Sequence, residues 1–162
     1  MSADPVYAYV AGFGSVEDAR SDFKEVKRLV QEGDLESVDA ALVYKDEDGR
    51  LHLRKREHRT VQGIWRGFAA GALVGALLPP AMPVTATMNA SRAGGMAYMI
   101  KGMPRDKVKA LGEALEEGEA ALVLISRAPV SPILDGALTR VDGRVEERLG
   151  ISADDVVDLI AA

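Results

Sequence analysis

Apolar positions along the chain change their spacing several times, and these changes predict the order of helices and strands. The run from Val6 to Phe13 is apolar and aromatic, which is typical of a buried strand. Helical spacing then extends from Val16 to Val30. The sequence Ser15-Val-Glu-Asp18 precedes it as a helix cap, and Gly33 follows it as a stop. The first quarter of the chain therefore predicts a strand followed by an amphipathic helix.

Alternation with a period of two follows this helix and predicts a β-hairpin. Apolar residues alternate from Val38 to Tyr44, and Asp46-Glu-Asp-Gly49 supplies a turn. Leu51 and Leu53 continue the alternation, with basic and histidine side chains between them. The second strand of this hairpin thus has one apolar face and one basic face.

Further along the chain, a second helix and a fourth strand complete the pattern. Pro104 suits the first turn of a helix whose apolar stripe is Val108, Leu111 and Leu115, and Gly118 ends it. The continuous apolar run 120–126 predicts a central strand covered on both faces. A short helix over 132–138, a strand over 144–149 and a last helix opening at Ser152 are predicted after it.

With residues 61–102 set aside, the predicted order is β-α-β-β-α-β. This order is that of the α+β ferredoxin-like plait, an antiparallel sheet with two helices on one face. We therefore predict a ferredoxin-like domain formed by residues 1–60 and 103–127. Residues 61–102 would be an inserted hairpin, and residues 128–162 a C-terminal helix/strand/helix extension.

The inserted segment carries a row of glycines at a spacing of four. A helix would place them on one face, and four glycines cost about 3–4 kcal/mol relative to alanine. Close packing of a second helix backbone is the usual compensation. The prolines at 79, 80 and 83 separate this arm from a second one, which predicts a helical hairpin of 63–78 and 84–100. The helix-packing positions are Gly63, Gly67, Gly71 and Gly75 on the first arm and Ala86, Ala90 and Gly94 on the second.

Charge separates the same segment from the rest of the chain. The chain has 162 residues and a net charge of -5, yet residues 61–102 hold three basic side chains and no acidic one. Residues 67–91 carry no charge at all. The first arm offers an uncharged helix of 67–78, about 18 Å long, whereas a bilayer core needs about 30 Å. A shallow hairpin in one leaflet is thus the alternative to packing between protein subunits.

A basic cluster stands directly before the glycine row, at Arg54, Lys55, Arg56 and Arg59. Three interpretations stay open for this cluster, namely a solvated charged strand, contact with an acidic surface of a sister subunit, and contact with anionic lipid headgroups. Nucleic acid is not expected, because the chain is acidic and no aromatic residue interleaves with the basic run.

Candidate chemistry is sparse. The absence of cysteine excludes disulfides, thiolate metal sites and cysteine nucleophiles. Gly12-Phe-Gly14 lies where a dinucleotide fingerprint would, but Glu17 replaces its third glycine, so a tight turn is favoured. His52 and His58 lie among cations that oppose metal binding. We therefore expect no catalytic residues, no metal site and no cofactor.

Several of these segments resemble the DUF1269 family of bacterial proteins. The resemblance is carried by the N-terminal β-α-β-β pattern, the Asp-Glu-Asp-Gly hairpin, the glycine-rich block, Lys-Ala-Leu-Gly-Glu-Ala-Leu-Glu-Glu-Gly (109–118) and Ala-Ala-Leu-Val-Leu-Ile (120–125). It covers most of residues 5–127 and implies a ferredoxin-like domain with an inserted hairpin. Members of the family are uncharacterised, and many are described as membrane proteins. The resemblance brings no catalytic residues to this chain.

The sequence as a whole favours a non-enzymatic assembly protein that forms homo-oligomers through the inserted hairpin. The first alternative is a peripheral inner-membrane protein that inserts the hairpin into one leaflet. The second is a small-ligand-binding or enzymatic plait domain, which only fold analogy favours. No basic, apolar leader is present at the N-terminus, so a cytoplasmic location is expected, with the inner membrane surface as the alternative.

Overall fold

The computed structural model describes residues 5–35, 39–45, 51–55, 103–116 and 118–152. These residues form an α+β structure with one antiparallel five-stranded sheet and three helices. The strands are β1 (Pro5–Phe13), β2 (Asp39–Lys45), β3 (Leu51–Lys55), β4 (Ala120–Ser126) and β5 (Gly143–Ser152), and the helices are α1 (Val16–Gln31), α2 (Arg105–Glu116) and α3 (Ser131–Ala137). The coarse α+β class is therefore confirmed.

Helix α1 begins and ends where its cap signals indicate. The Ser15 side chain accepts a hydrogen bond from the backbone N–H of Asp18 at 3.2 Å, which satisfies one of the free donors of the first turn. Gly33 has a φ of +82°, the left-handed conformation that glycine adopts without strain after a helix. The predicted helix and both of its signals are confirmed.

The strand order of the sheet is β3-β2-β4-β1-β5, with every neighbouring pair antiparallel. Strands β2 and β3 form the predicted hairpin, in which Val43 pairs with Leu53. Strand β4 lies between β1 and β2, with Val123 opposite Val10 on one side and opposite Ala41 on the other. All seven residues of β4 are buried, which confirms the prediction of a central strand covered on both faces.

The two faces of the sheet carry different helices. On one, here called the core face, side chains from alternate positions of β1, β2 and β4 pack with those of α1 and α3 in one cluster. This cluster includes Tyr9, Ala11, Phe13, Phe23, Val26, Leu42, Leu122, Leu124, Leu134 and Leu138. Residues at the intervening positions point to the opposite face, since side chains alternate along a strand.

Helix α2 packs on that opposite face, here called the α2 face. Leu111, Ala114 and Leu115 are its buried residues, and the helix contacts β1, β4 and β5. A Cβ on Gly12 would lie 3.2 Å from the carbonyl oxygen of Ala114, so glycine lets the helix approach β1 closely. The prediction of two helices on one face is thus wrong for α2. Because β1 and β4 are apolar on both sides, this helix is needed on the second face.

Residues 131–152 belong to the same sheet and core. The predicted short helix and strand of the C-terminal region are present as α3 and β5, and β5 pairs with β1 along most of its length. The last predicted helix, after Ser152, lies outside the described residues. Strand β5 is one edge of the sheet and β3 is the other.

Candidate functional site

The polar side chains that the fold brings together surround α3, the short helix on the core face. At its N-terminal end, the Glu146 carboxylate accepts hydrogen bonds from the backbone N–H groups of Val130 at 2.8 Å and Ser131 at 3.2 Å. It also accepts one from the Ser131 hydroxyl at 2.7 Å. Since the side chain of Val130 cannot cap the helix, a carboxylate from the neighbouring strand supplies the missing acceptor.

A cation from the same strand binds the other end of α3. The Arg144 guanidinium donates to the carbonyl oxygens of Leu134 at 3.5 Å and Leu138 at 3.4 Å. It also pairs with the Asp135 carboxylate at 3.0 Å. The Leu134 carbonyl also accepts from the backbone N–H of Leu138 at 2.9 Å. Carbonyl groups at a helix C-terminus carry partial negative charge, so a guanidinium stabilises them.

Arg144 and Glu146 together are here called the α3 clamp. They are two residues apart on β5 and therefore share the face on which α3 packs. Their register places Arg144 opposite Ala11 and Glu146 opposite Tyr9, both of which belong to the core cluster. The anionic side chain meets the helix N-terminus and the cationic one its C-terminus, which is the favourable arrangement for the helix dipole.

The Tyr9 hydroxyl is the deepest polar group beside the clamp. Its residue is only 1% exposed, and the hydroxyl donates to Asp135 at 3.2 Å and accepts from Arg144 at 3.4 Å. Burial raises the pKa of Tyr9 above its ordinary value of 10; Arg144 opposes this effect and Asp135 adds to it. At neutral pH the phenol is therefore a hydrogen-bonding group that ties β1 to α3 and β5, and it is not available as a base.

A second buried polar contact joins α1 to the loop between α3 and β5. Asp22 is 1% exposed, and its carboxylate accepts from the backbone N–H of Arg140 at 3.1 Å and from the Arg140 guanidinium at 3.5 Å. Both partners are needed because a buried carboxylate without donors is strongly unfavourable. Like the α3 clamp, this contact fastens one element to another.

Most of the site residues that the sequence predicts are not among the described residues. The helix-packing positions Gly63, Gly67, Gly71, Gly75, Ala86, Ala90 and Gly94 lie outside the described residues, as do Arg56 and Arg59. Arg54 and Lys55 end β3, in register with Leu42 and Ala41 of β2. Strand β3 lies at the edge of the sheet opposite β5, the strand that carries the α3 clamp.

Other motifs of the sequence have structural explanations. Gly12 is part of β1 and gives α2 its close approach, and a Cβ on Gly14 would lie 3.0 Å from the Asp142 carboxylate. Across the described ranges, no group of three or more histidine, aspartate or glutamate side chains could hold a metal ion. Among the helices of those same ranges, none is long and apolar enough to cross a membrane.

Comparisons with known proteins add nothing to the fold and the contacts described above, so any function has to be inferred from these. No family model, no curated protein and no solved structure matches this chain. The resemblance to the DUF1269 family therefore stays a prediction.

The sequence patterns did not identify the residues of the α3 clamp, although β5 carries a signal for them. Arg144 and Glu146 stand at alternate positions on either side of Val145 and so share one face, although Glu147 brings charge to the other face as well. What the sequence does not show is that this face packs against a seven-residue helix whose two ends need opposite charges.

Proposed function

We propose that this chain is a non-enzymatic assembly protein that forms homo-oligomers through the helical hairpin of residues 61–102. In this proposal Gly63, Gly67, Gly71 and Gly75 form a face on which another helix backbone packs closely. That helix is the second arm, with Ala86, Ala90 and Gly94, or the first arm of a neighbouring subunit. The described domain is the platform that holds the hairpin.

The observation that supports this proposal is the position of the two chain ends that flank residues 56–102. Strand β3 runs toward the end of the sheet at which β1 begins, since Leu51 pairs with Lys45 and Lys55 with Ala41. This end is here called the Pro5 end. Helix α2 starts near it as well, because Lys107 pairs with Glu147 at 3.5 Å and Glu147 lies opposite Ala8.

A helical hairpin has to return to the place from which it starts. With predicted arms of 63–78 and 84–100, each arm would be about 24–26 Å long, so the two ends of the segment meet when the arms are antiparallel. Departure and return at the Pro5 end satisfy this condition. The polar contacts of the described domain also favour a structural role, since Tyr9, Asp22 and the α3 clamp each join separate elements.

The native mass of the chain tests the proposal. Size-exclusion chromatography with light scattering should give a multiple of the 17.3 kDa chain mass in detergent-free buffer. Gly71→Leu should reduce that multiple, because a leucine on the glycine row separates the helix backbones. Gly136→Leu is the matched control, since a Cβ on this exposed helical glycine of α3 meets nothing within 4 Å. A monomer for all three proteins would refute the proposal.

Binding to vesicles separates assembly from the membrane alternative. The assembly proposal expects no flotation of the chain with vesicles that contain anionic lipid, even at low ionic strength. Salt-sensitive flotation that Arg54→Glu and Lys55→Glu abolish would instead favour a peripheral membrane protein, since basic residues near an anionic surface attract it electrostatically.

We also propose that the domain is a variant of the ferredoxin-like plait. Its two halves would be β1-α1-β2 and β4-α3-β5, which give the strand order β2-β4-β1-β5 with α1 and α3 on one face. Strand β3, residues 56–102 and α2 would then form an insertion between the halves. This assignment differs from the prediction that used β3 and α2, and the strand order and the common core of α1 and α3 support it.

A further inference from the structure

The part of the α2 face that β2 forms is buried, although α2 packs mainly on β1, β4 and β5. Ala41 is 0% and Val43 2% exposed, and they point to the α2 face because their neighbours Ala40 and Leu42 belong to the core cluster. They pair across the sheet with Val123 and Ala121 of β4, which are buried to the same degree. These four side chains form a flat apolar surface, here called the β2 patch.

Helix α2 cannot account for the burial of the whole β2 patch. Its main contacts are with β1, β5 and β4. It reaches β2 at Lys45, whose side chain donates a hydrogen bond to the carbonyl oxygen of Glu116 at 2.9 Å, and Ala41 lies four residues from Lys45 toward the Pro5 end. Helices α1 and α3 pack on the core face. An antiparallel sheet face without a covering layer stays accessible to water. Since α2 reaches β2 only at the end away from the Pro5 end, the burial of Ala41 points to a further covering segment.

We infer that the β2 patch is the docking surface for the first arm of the inserted hairpin, residues 63–78 of the same chain. Residues 56–102 leave β3 directly beside β2, whereas the chain after β5 starts at the opposite edge of the sheet and has α2 in its way. The occupant is therefore the segment whose starting point is adjacent to the patch.

The dimensions of the arm fit this surface. A helix of 63–78 would be about 24 Å long, and the seven residues of β2 span about 23 Å. Residues 56–62 can extend over about 23 Å, enough to round the Pro5 end and bring the arm onto the sheet. The arm would then run toward the other end, and the second arm would return to the start of α2.

The glycine row stays available in this arrangement. At helical pitch, Ala69, Ala72, Leu73 and Ala76 lie opposite Gly67 and Gly71, so the alanine and leucine side packs on the β2 patch. Small alanines suit a flat surface of alanine and valine, and the glycines face outward to a second helix. This inference uses the helical arm of the proposed function and does not depend on oligomerisation.

Engineered cysteine pairs test the inference in the full chain, which contains no cysteine of its own. Val43→Cys is combined in turn with Ala69→Cys, Ala72→Cys, Leu73→Cys and Ala76→Cys, and each protein is oxidised. We expect at least one pair to form a disulfide within one chain, shown by loss of both free thiols in a product of monomer mass on a non-reducing denaturing gel. Ala41→Cys replaces Val43→Cys in a second series, so that the result does not rest on one substitution.

Two sets of control cysteine pairs should not form a disulfide. Leu42→Cys is equally buried but points to the core face, so its combinations should not form a disulfide. Val74→Cys lies on the glycine side of the arm and should not react with Val43→Cys either. Absence of intrachain disulfides in chains with native circular dichroism, or disulfides only between chains, would overturn the inference. The native mass of the unmodified chain reports separately on the proposed assembly.

Discussion

The hydrogen bonds of Glu146 predict how much the α3 clamp contributes to the stability of the fold. Replacing Glu146 with alanine removes an acceptor from two backbone N–H groups and from the Ser131 hydroxyl, all within 3.2 Å. A lost helix cap costs about 1 kcal/mol, a lost favourable charge at a helix N-terminus about 0.5 kcal/mol, and a lost side-chain hydrogen bond about 1 kcal/mol. We therefore expect Glu146→Ala to lower the free energy of unfolding by about 2.5 kcal/mol.

Urea denaturation at neutral pH, followed by circular dichroism, measures this change. For a domain of this size each kcal/mol shifts the melting temperature by about 2–4 °C, so a thermal melt should move down by about 5–10 °C. Glu146→Gln retains one carbonyl acceptor without the charge, and we expect about half of the loss for it.

Glu147→Ala is the matched control because it removes the neighbouring carboxylate from the other face of β5. Glu147 pairs with Lys107 at 3.5 Å, and the Lys107 side chain is half exposed. Exposed ion pairs contribute about 0–1 kcal/mol, so this variant should lose less than Glu146→Ala by at least about 1 kcal/mol. Equal losses for the two variants would refute the clamp as a stabilising contact.

Two further variants probe the close approaches of the core. Gly118→Ala should lower the free energy of unfolding by about 3 kcal/mol or more in urea denaturation, because its Cβ would lie 2.0 Å from the carbonyl oxygen of Phe13. Gly136→Ala is the control: its Cβ would meet open space on a helix, so this variant should be as stable as the parent chain or more stable by about 0.5–1 kcal/mol. Tyr9→Phe should cost about 1 kcal/mol at neutral pH, since it removes the hydroxyl that contacts Asp135 and Arg144. Because burial raises the pKa of Tyr9 in the folded chain, its contribution is complete below pH 10 and decreases as pH rises above 10, where only the unfolded tyrosine ionises. The stability of the parent chain should therefore decline with alkaline pH more steeply than that of Tyr9→Phe, by up to about 1.4 kcal/mol per pH unit, and parallel declines would contradict this.

Local signals in the sequence were sufficient for most elements. Ser15, Gly33 and the apolar stripe of α1 specify that helix through contacts within a few residues, and the alternation from Val38 to Leu53 specifies the hairpin of β2 and β3. The apolar run of β4 even predicted a strand covered on both faces. Each of these predictions depends on periodicity, which one segment carries by itself.

The sequence does not predict how elements that are distant along the chain pack together. Nothing local distinguishes β3 from β4 as the neighbour of β1, because both are short strands that run antiparallel to β2. Gly118 was interpreted as a helix stop, whereas the closeness of the Phe13 carbonyl gives it a second reason. The α3 clamp and the contact of Asp22 with Arg140 likewise join residues from separate segments, so only the assembled sheet reveals them.

The strand order has a consequence for synthesis on the ribosome. Strand β1 is made first, yet both of its neighbours, β4 and β5, come from the last third of the chain. At 5–20 residues per second, roughly seven to thirty seconds pass between the emergence of β1 and that of β5. During this interval the largely apolar strand β1 has neither of its native pairing partners. Nascent chains that stop before residue 120 should therefore be good substrates for chaperones that recognise exposed apolar segments.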